Sequence, residues 1–211
     1  MAERSTHRRP ATTSAIRDED WDGEDLSGRE YRSVAFLKVD FTDATGTGVV
    51  FDGCTFTDCR LSGVQLTDAS LTNCAVWNST LFDATLTGCK LLGTAFEDCR
   101  FDLLKVRGGD WSFVGLRGAD LREVRFEEVR MREADLTGAR LDDAVLRRCD
   151  LSGAALSRAS LLRTELRGAQ LPPLDPTELA MRGAIVDPHQ AVAIAEALGL
   201  DVRPEIDEPA V

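Results

Sequence analysis

The stretch Ala134-Asp135-Leu136-Thr137-Gly138-Ala139-Arg140-Leu141-Asp142-Asp143-Ala144-Val145-Leu146 places a large apolar residue at every fifth position and a small one two places ahead of it. Followed outward, the register holds from Trp21 to Leu171, through Leu26, Tyr31, Phe36, Phe41, Phe51 and Phe56 to an unbroken run of leucines from Leu136. Gly46 alone interrupts the large series, and the small series includes Ala69, Cys74, Ser79, Ala84, Cys89 and Thr94. A period of five fits neither the spacing of a helical face nor the alternation of a strand. Held over thirty-one units, it implies a solenoid, in which each unit buries its apolar side only by stacking on its neighbours.

The unit Ala-Asp-Leu-x-x, as in Ala119-Asp120-Leu121-Arg122-Glu123 and Ala134-Asp135-Leu136-Thr137-Gly138, resembles the pentapeptide-repeat family. That resemblance implies an all-β, right-handed, four-sided β-helix with four units per coil, the large and the small residue both pointing inward. Thirty-one units would then make about 7.75 coils and a rod of ~37 Å at roughly 4.8 Å per coil.

A formal charge of −11 keeps such a rod soluble and argues against direct contact with nucleic acid or an anionic membrane. No apolar run is long enough to cross a bilayer, and the first residues lack the apolar core of a signal peptide, so a cytoplasmic location is expected. All six cysteines, Cys54, Cys59, Cys74, Cys89, Cys99 and Cys149, fall on the small inward position and read as core residues. Cys54 and Cys74 lie one coil apart, close enough in principle for a bridge or a metal. Parallel side-chain directions and a cytosolic setting count against both.

Taken in order, residues 1–20 have no period and almost no large apolar side chains, and are expected to be a disordered extension. The basic cluster His7-Arg8-Arg9 within them reads as solvated tail. Residues 21–171 form the β-helix, with a distorted or bulged coil expected around Gly46 and Gly48. Beyond Pro172-Pro173, Asp175-Pro176-Thr177-Glu178 reads as a short helical turn. Asp187-Pro188-His189-Gln190 then opens a helix with an acidic cap, proline at the first position and a capping-box glutamine, and Gly199 closes it. Residues 172–200 are therefore expected to be a helical cap, and 201–211 an acidic tail.

With the inward ladder occupied, function falls to the outer surface. One face collects Asp40, Asp43, Asp83, Asp102, Asp120, Glu123, Asp142 and Asp143, interrupted by Arg60, Arg100, Arg122 and Arg140. Trp77, Phe82, Leu92, Leu103 and Phe113 are apolar at outward positions, with Phe82 and Leu103 on the acidic face and Leu92 and Phe113 on another. These two sets are the candidate partner-binding residues, each weighed against an ordinary solvated surface. Only His7 and His189 are present, no nucleophile and base converge by spacing, and phosphate-loop and zinc-ligand motifs are absent, so no enzyme, cofactor or metal site is expected.

Within the family, Val186-Asp187-Pro188-His189-Gln190-Ala191-Val192-Ala193-Ile194-Ala195 and Trp77-Asn78-Ser79-Thr80 are similar to segments of the fluoroquinolone-resistance branch, the mycobacterial MfpA and plasmid-borne Qnr groups. That likeness implies a dimeric rod that mimics DNA, binds and inhibits DNA gyrase, and protects it from fluoroquinolones. The dimer would be joined through the C-terminal module, with Val192, Ile194, Ala195 and Leu198 as its interface. A non-catalytic scaffold or adaptor rod for another protein is the alternative. Charge is uneven along the rod. Residues 21–104 hold 13 acids and 6 bases, net −7; residues 105–171 hold 11 acids and 13 bases, net +2; residues 172–211 hold 8 acids and 2 bases, net −6.

Overall fold

A computed structural model of the chain describes residues 9–175 and 178–203. The strands in chain order are β1 (Ser14–Arg17), β2 (Glu30–Arg32), β3 (Val34–Leu37), β4 (Thr45–Thr47), β5 (Val50–Asp52), β6 (Thr55–Thr57) and β7 (Gln65–Thr67). They continue as β8 (Ser70–Thr72), β9 (Ala75–Trp77), β10 (Thr85–Thr87), β11 (Ala95–Glu97), β12 (Lys105–Arg107), β13 (Arg125–Glu127) and β14 (Val145–Arg147), followed by helix α1 (Pro188–Ala197). Every strand pair is parallel with an offset of twenty residues, as in Phe36↔Phe56 and Leu86↔Val106, so one coil is four pentapeptides.

Three faces are sheets: five strands in the order β1-β3-β6-β9-β11, six in the order β14-β13-β12-β10-β7-β4, and three in the order β2-β5-β8. The fourth face has no strand among the described residues; its rungs are single parallel bridges running Asp20↔Asp40↔Arg60↔Thr80↔Arg100 and Asp120↔Arg140↔Ser160↔Ala180. In chain order a coil visits this bridged face, the six-stranded, the three-stranded and the five-stranded face. The bridged and three-stranded faces are therefore opposite each other.

Burial follows the register of five. Phe36, Phe56, Leu91, Leu116, Leu136 and Leu146 are fully buried, and so are the small residues Ala44, Cys54, Ala84 and Ala139. All six cysteines are free thiols. Each reaches the chain with its sulfur; Cys59, for example, donates to the carbonyls of Thr57 and of Phe36 in the coil below. That explains why Cys, Ser and Thr recur at this site: they are small and can satisfy a buried carbonyl. Burial pushes the thiols of Cys59, Cys89 and Cys149 up to about 11 and that of Cys99 to about 12. The neighbouring Cys54 sulfur, together with burial, drives the Cys74 thiol far upward.

Two expectations need correction. The solenoid begins before Trp21: β1 pairs with β3 and places Ile16 beside Phe36, so the stretch 9–20 is ordered structure rather than loose extension. Ile16 lies in the register of five and packs on the core. Residues 1–8, with His7 and Arg8, fall outside the described residues. Gly46 is not a bulge; it sits inside β4 opposite Leu66, and Leu66, Val49 and Leu26 close around it at 3.3–3.5 Å from where a Cβ would be. Irregularity lies instead at Gly109, whose φ of +89° brings its backbone so near Cys89 that a Cβ would stand 2.1 Å from the Cys89 carbonyl oxygen. The turn expected over 175–178 is described only at its ends, where the Glu178 amide donates to the Asp175 carbonyl at 3.1 Å.

Helix α1 closes the upper end as its sequence implies. Asp187 accepts from the Gln190 amide at 3.0 Å, and the Gln190 side chain accepts from the Asp187 amide at 2.9 Å. Both residues also finish the last coil. The Asp187 carboxylate accepts from the Gly168 amide at 3.0 Å, and Gln190 Nε2 donates to the Leu166 and Ala169 carbonyls at 2.7 Å each. Side chains thus replace the partners that a further coil would have supplied, which a solenoid end requires.

Candidate functional site: the outer faces of the rod

The acidic residues named from the sequence all lie on the bridged face, but most are already engaged. Asp40 accepts from the Thr42 amide at 3.0 Å and from Arg60 at 2.9 Å. Asp120 pairs with Arg122 at 2.6 Å and Arg140 at 3.6 Å, Asp143 with Arg163 at 2.6 Å, and Asp83 with Lys105 at 2.7 Å. Asp102 lies 3.5 Å from Arg100, and Asp142 accepts from the Ser160 hydroxyl and the Leu162 amide. Among the described residues, Asp43 and Glu123 have no ion pair. The column exists, but its field is largely neutralised by its own arginines.

Two of these carboxylates have a structural task. The bridged face is built from turns in which the residue after the large apolar one is followed by a left-handed residue, as at Gly23 with φ +66° and the Glu24 amide donating to the Trp21 carbonyl at 3.1 Å. These are type II turns. On this and the other faces, the residue just before the apolar one caps such a turn by accepting from the amide two places on: Asp20 from Asp22, Asp25 from Ser27, Asp110 from Ser112, Asp135 from Thr137 and Asp150 from Ser152. Asp40 and Asp120 belong to this set. Burial would raise the Asp40 carboxyl, but the Thr42 hydroxyl and amide and the Arg60 guanidinium outweigh it and hold its pKa below the ordinary 3.8. The hydrogen bond from Arg122 does the same for Asp120.

The apolar candidates divide. Phe82, Leu92, Leu103 and Phe113 are exposed at 45%, 39%, 46% and 49%. Phe82 and Leu103 occupy adjacent coils of the bridged face, and Leu92 and Phe113 adjacent coils of the opposite, three-stranded face. Leu103 and Phe113 also have left-handed backbones, with φ of +60° and +59°. They are the only apolar side chains in that conformation among the described residues. Asp, Asn or Gly usually take such positions, and a branched or bulky residue there is disfavoured. The two residues thus combine backbone strain with exposed apolar surface, neither of which helps the chain to fold. A shallow depression of about 270 Å³ beside Leu103 is lined by Arg100, Asp102, Asp120, Arg122 and Glu123.

Trp77 departs from expectation: it is 8% exposed, because the Arg9 guanidinium lies 4.0 Å from its ring centroid. No periodic signal announces that cover.

At the C-terminal end, Val192 and Leu198 are exposed while Ile194 and Ala195 are half-buried. Ile194 turns toward the rod and, with Ala193 and Ala197, lines an apolar groove of about 550 Å³ against Leu171, Pro172 and Leu174. The four expected interface residues therefore do not form one surface; the outward apolar set is Ile185, Val192, Leu198, Leu200 and Val202. No described helix is long and apolar enough to cross a membrane.

Known proteins sharpen this picture. The profile for the pentapeptide repeat region matches residues 79–156, and that for pentapeptide repeats in eight copies matches residues 34–63. No curated protein matches the sequence. A trypsin-treated form of QnrB1, a plasmid-mediated fluoroquinolone resistance protein, has a similar fold at 22% identity and a TM-score of 0.51, with 92% of this chain and 99% of that chain covered. HetL, a pentapeptide repeat protein involved in heterocyst differentiation regulation from the cyanobacterium Nostoc, is 21% identical over 83% of this chain and 86% of its own, with a TM-score of 0.40. The twenty-residue coil, the inward ladder of large and small residues and the matching profiles agree: the chain belongs to the pentapeptide-repeat family.

Proposed function

We propose that this chain is a non-catalytic, cytoplasmic rod that binds and inhibits DNA gyrase and protects it from fluoroquinolones. The observation that carries the reading is the exposed quartet Phe82, Leu92, Leu103 and Phe113, which marks the same level of the rod on two opposite faces. Exposed apolar residues grouped in this way are the usual mark of a protein partner. The fold likeness to QnrB1, itself named for fluoroquinolone resistance, supports the choice of gyrase.

DNA mimicry enters as a secondary contribution. Over residues 21–104 the net charge of −7 compares with about 12 phosphates along the ~20 Å that four coils span. Ion pairing on the bridged face lowers the effective charge further. Charge then governs encounter with gyrase, while the apolar quartet governs residence. Two chains pair through the C-terminal module, with Val192, Leu198 and Leu200 at the contact, which doubles the length of the body.

Gyrase supercoiling and quinolone-stabilised cleavage, measured while the purified chain is titrated, test the proposal. Inhibition of supercoiling and loss of cleaved complex are expected. If both stay unchanged across a wide concentration range, gyrase is not the partner and the scaffold reading takes its place.

A further inference from the structure

Trp77 should be an exposed residue. It stands at an outward position of β9, between Thr57 of β6 and Glu97 of β11, both of which are partly exposed. The outward-pointing Ala75 and Ala95 beside it are also buried, at 3% and 5%. The cover comes from the start of the chain. Arg9, Pro10 and Ala11 face Asn73, Cys74, Ala75, Gly93 and Ala95 across a cleft of about 380 Å³, and the Arg9 guanidinium rests on the indole.

The path is geometrically consistent. The Thr13 amide donates to the Ser33 carbonyl at 2.7 Å, and β1 forms the first rung of the five-stranded face. From there the chain must rise past β3 and β6 to reach β9. Three steps of roughly 4.8 Å make ~14 Å, and the five residues from Arg9 to Ser14 span up to ~17 Å when extended. The segment therefore runs up the outside of the rod nearly taut, across the rungs rather than along them. From Arg9 to Thr12 the described hydrogen bonds include none of the rung-to-rung backbone ladder that holds the coils. Its contact with Trp77 is a guanidinium on an aromatic face, beside a proline that stiffens the approach.

We infer that the Trp77 patch is a binding site for a short extended segment carrying arginine next to proline, and that residues 9–13 of this chain are its resident, exchangeable occupant. Trp77, Ala75 and Ala95 form the floor, the indole takes the cation, and the segment acts as a strap that keeps the patch closed until it is displaced. The inference rests on the strap geometry alone and stands whether or not gyrase is the partner.

Fluorescence tests it in the full-length chain, since Trp21 and Trp111 are buried in the core at 8% and 0% exposure and report no change at the strap. Arg9→Glu should red-shift the emission and raise the acrylamide quenching constant about two-fold, as one tryptophan of three becomes accessible. The same substitution in a Trp77→Phe background should change neither. A labelled peptide of residues 5–13 added to the Arg9→Glu chain should bind saturably and reverse the quenching, and should bind at least ten-fold more weakly, on the order of a 1.4 kcal/mol loss, to the Arg9→Glu/Trp77→Phe chain. Equal quenching of the unmodified and Arg9→Glu proteins would overturn the strap. Peptide binding that ignores Trp77, or no peptide binding at all, would overturn the exchangeable site.

Discussion

The two halves of the rod obey one register and build different walls. Up to Thr72 three faces are strands, and the lower core is a continuous aromatic cluster in which Trp21, Tyr31, Phe36, Phe41, Phe51 and Phe56 pair at centroid distances of 4.9–6.0 Å. Beyond Leu116 only the six-stranded face keeps strands, β13 and β14, and the core is aliphatic, chiefly leucine and alanine with Val124, Val129 and Met131, around the single ring of Phe126. The outward residue ahead of the apolar one differs between the two kinds of wall. Thr45, Val50, Thr55 and Thr85 introduce strands, whereas Asp110, Asp120, Asp135 and Asp150 introduce turns and cap them. β-branched residues favour the pleated wall, and Asp competes for a local amide. Charge divides likewise: residues 105–171 carry 13 cations and 11 anions, tied into pairs such as Arg130–Asp110, Arg148–Glu128 and Arg167–Glu165. This outward position thus biases the choice of wall, while the inward ladder fixes the coil.

The largest expected effect contrasts the cores. Phe36→Ala removes a ring that touches five other aromatics and should cost about 3–5 kcal/mol in chemical denaturation, more than Leu136→Ala in the upper half, about 2–5 kcal/mol. Equal losses would mean that the aromatic cluster adds nothing beyond area. Next comes Gly63→Ala, roughly 1–3 kcal/mol, because Gly63 has φ +67° and a Cβ there would stand 2.0 Å from an Asp43 carboxylate oxygen. The double change with Asp43→Ala should recover the part due to the clash and leave the part due to backbone strain.

Smaller still is the turn cap. Asp135→Ala should cost ~1 kcal/mol, while Thr85→Ala, on a strand wall, should cost less. The caps and pairs also set a pH dependence. Asp40, Asp110, Asp120, Asp143 and Asp150 have pKa values lowered in the folded chain, so the unfolded chain binds protons first. Their contribution is fully present above the ordinary value near 3.8 and is lost as pH falls through the lower folded values. Denaturation midpoints should hold from neutrality to about pH 5 and drop below pH 4. The smallest effect belongs to Arg163→Ala, whose pair with Asp143 is solvent-exposed, so the denaturation midpoint should stay close to that of the unmodified chain.

Much of this was legible in the chain itself. The register of five gives the coil, the inward ladder and the run of cysteines, and Asp187-Pro188-His189-Gln190 gives the closing helix. Ile16, five before Trp21, was the available signal for the extra first rung. Asp-x-Ser or Asp-x-Thr, as in Asp25-Leu26-Ser27 and Asp40-Phe41-Thr42, was the available signal for the turn caps, and it would have removed Asp40 from the partner-binding set. Two facts had no local trace. Arg9 covers a tryptophan sixty-eight residues away, and the bridged face neutralises its acids through arginines a coil apart whose rotamers no spacing reveals. The helix also turns Ile194 inward because Gln190, not an apolar residue, is its deepest contact with the rod.

The contact proposed for gyrase lies on the quartet at the middle of the rod, and hydrogen exchange of the chain with and without gyrase tests that proposal directly. Protection is predicted for amides of residues 80–83, 91–94, 101–104 and 111–114, and it should vanish when Phe82, Leu92, Leu103 and Phe113 are all replaced by Ser but persist when Asp83, Asp102 and Glu123 are replaced by Lys. Protection that survives loss of the quartet and disappears with the acids, or an exchange pattern that gyrase leaves unchanged, would contradict it.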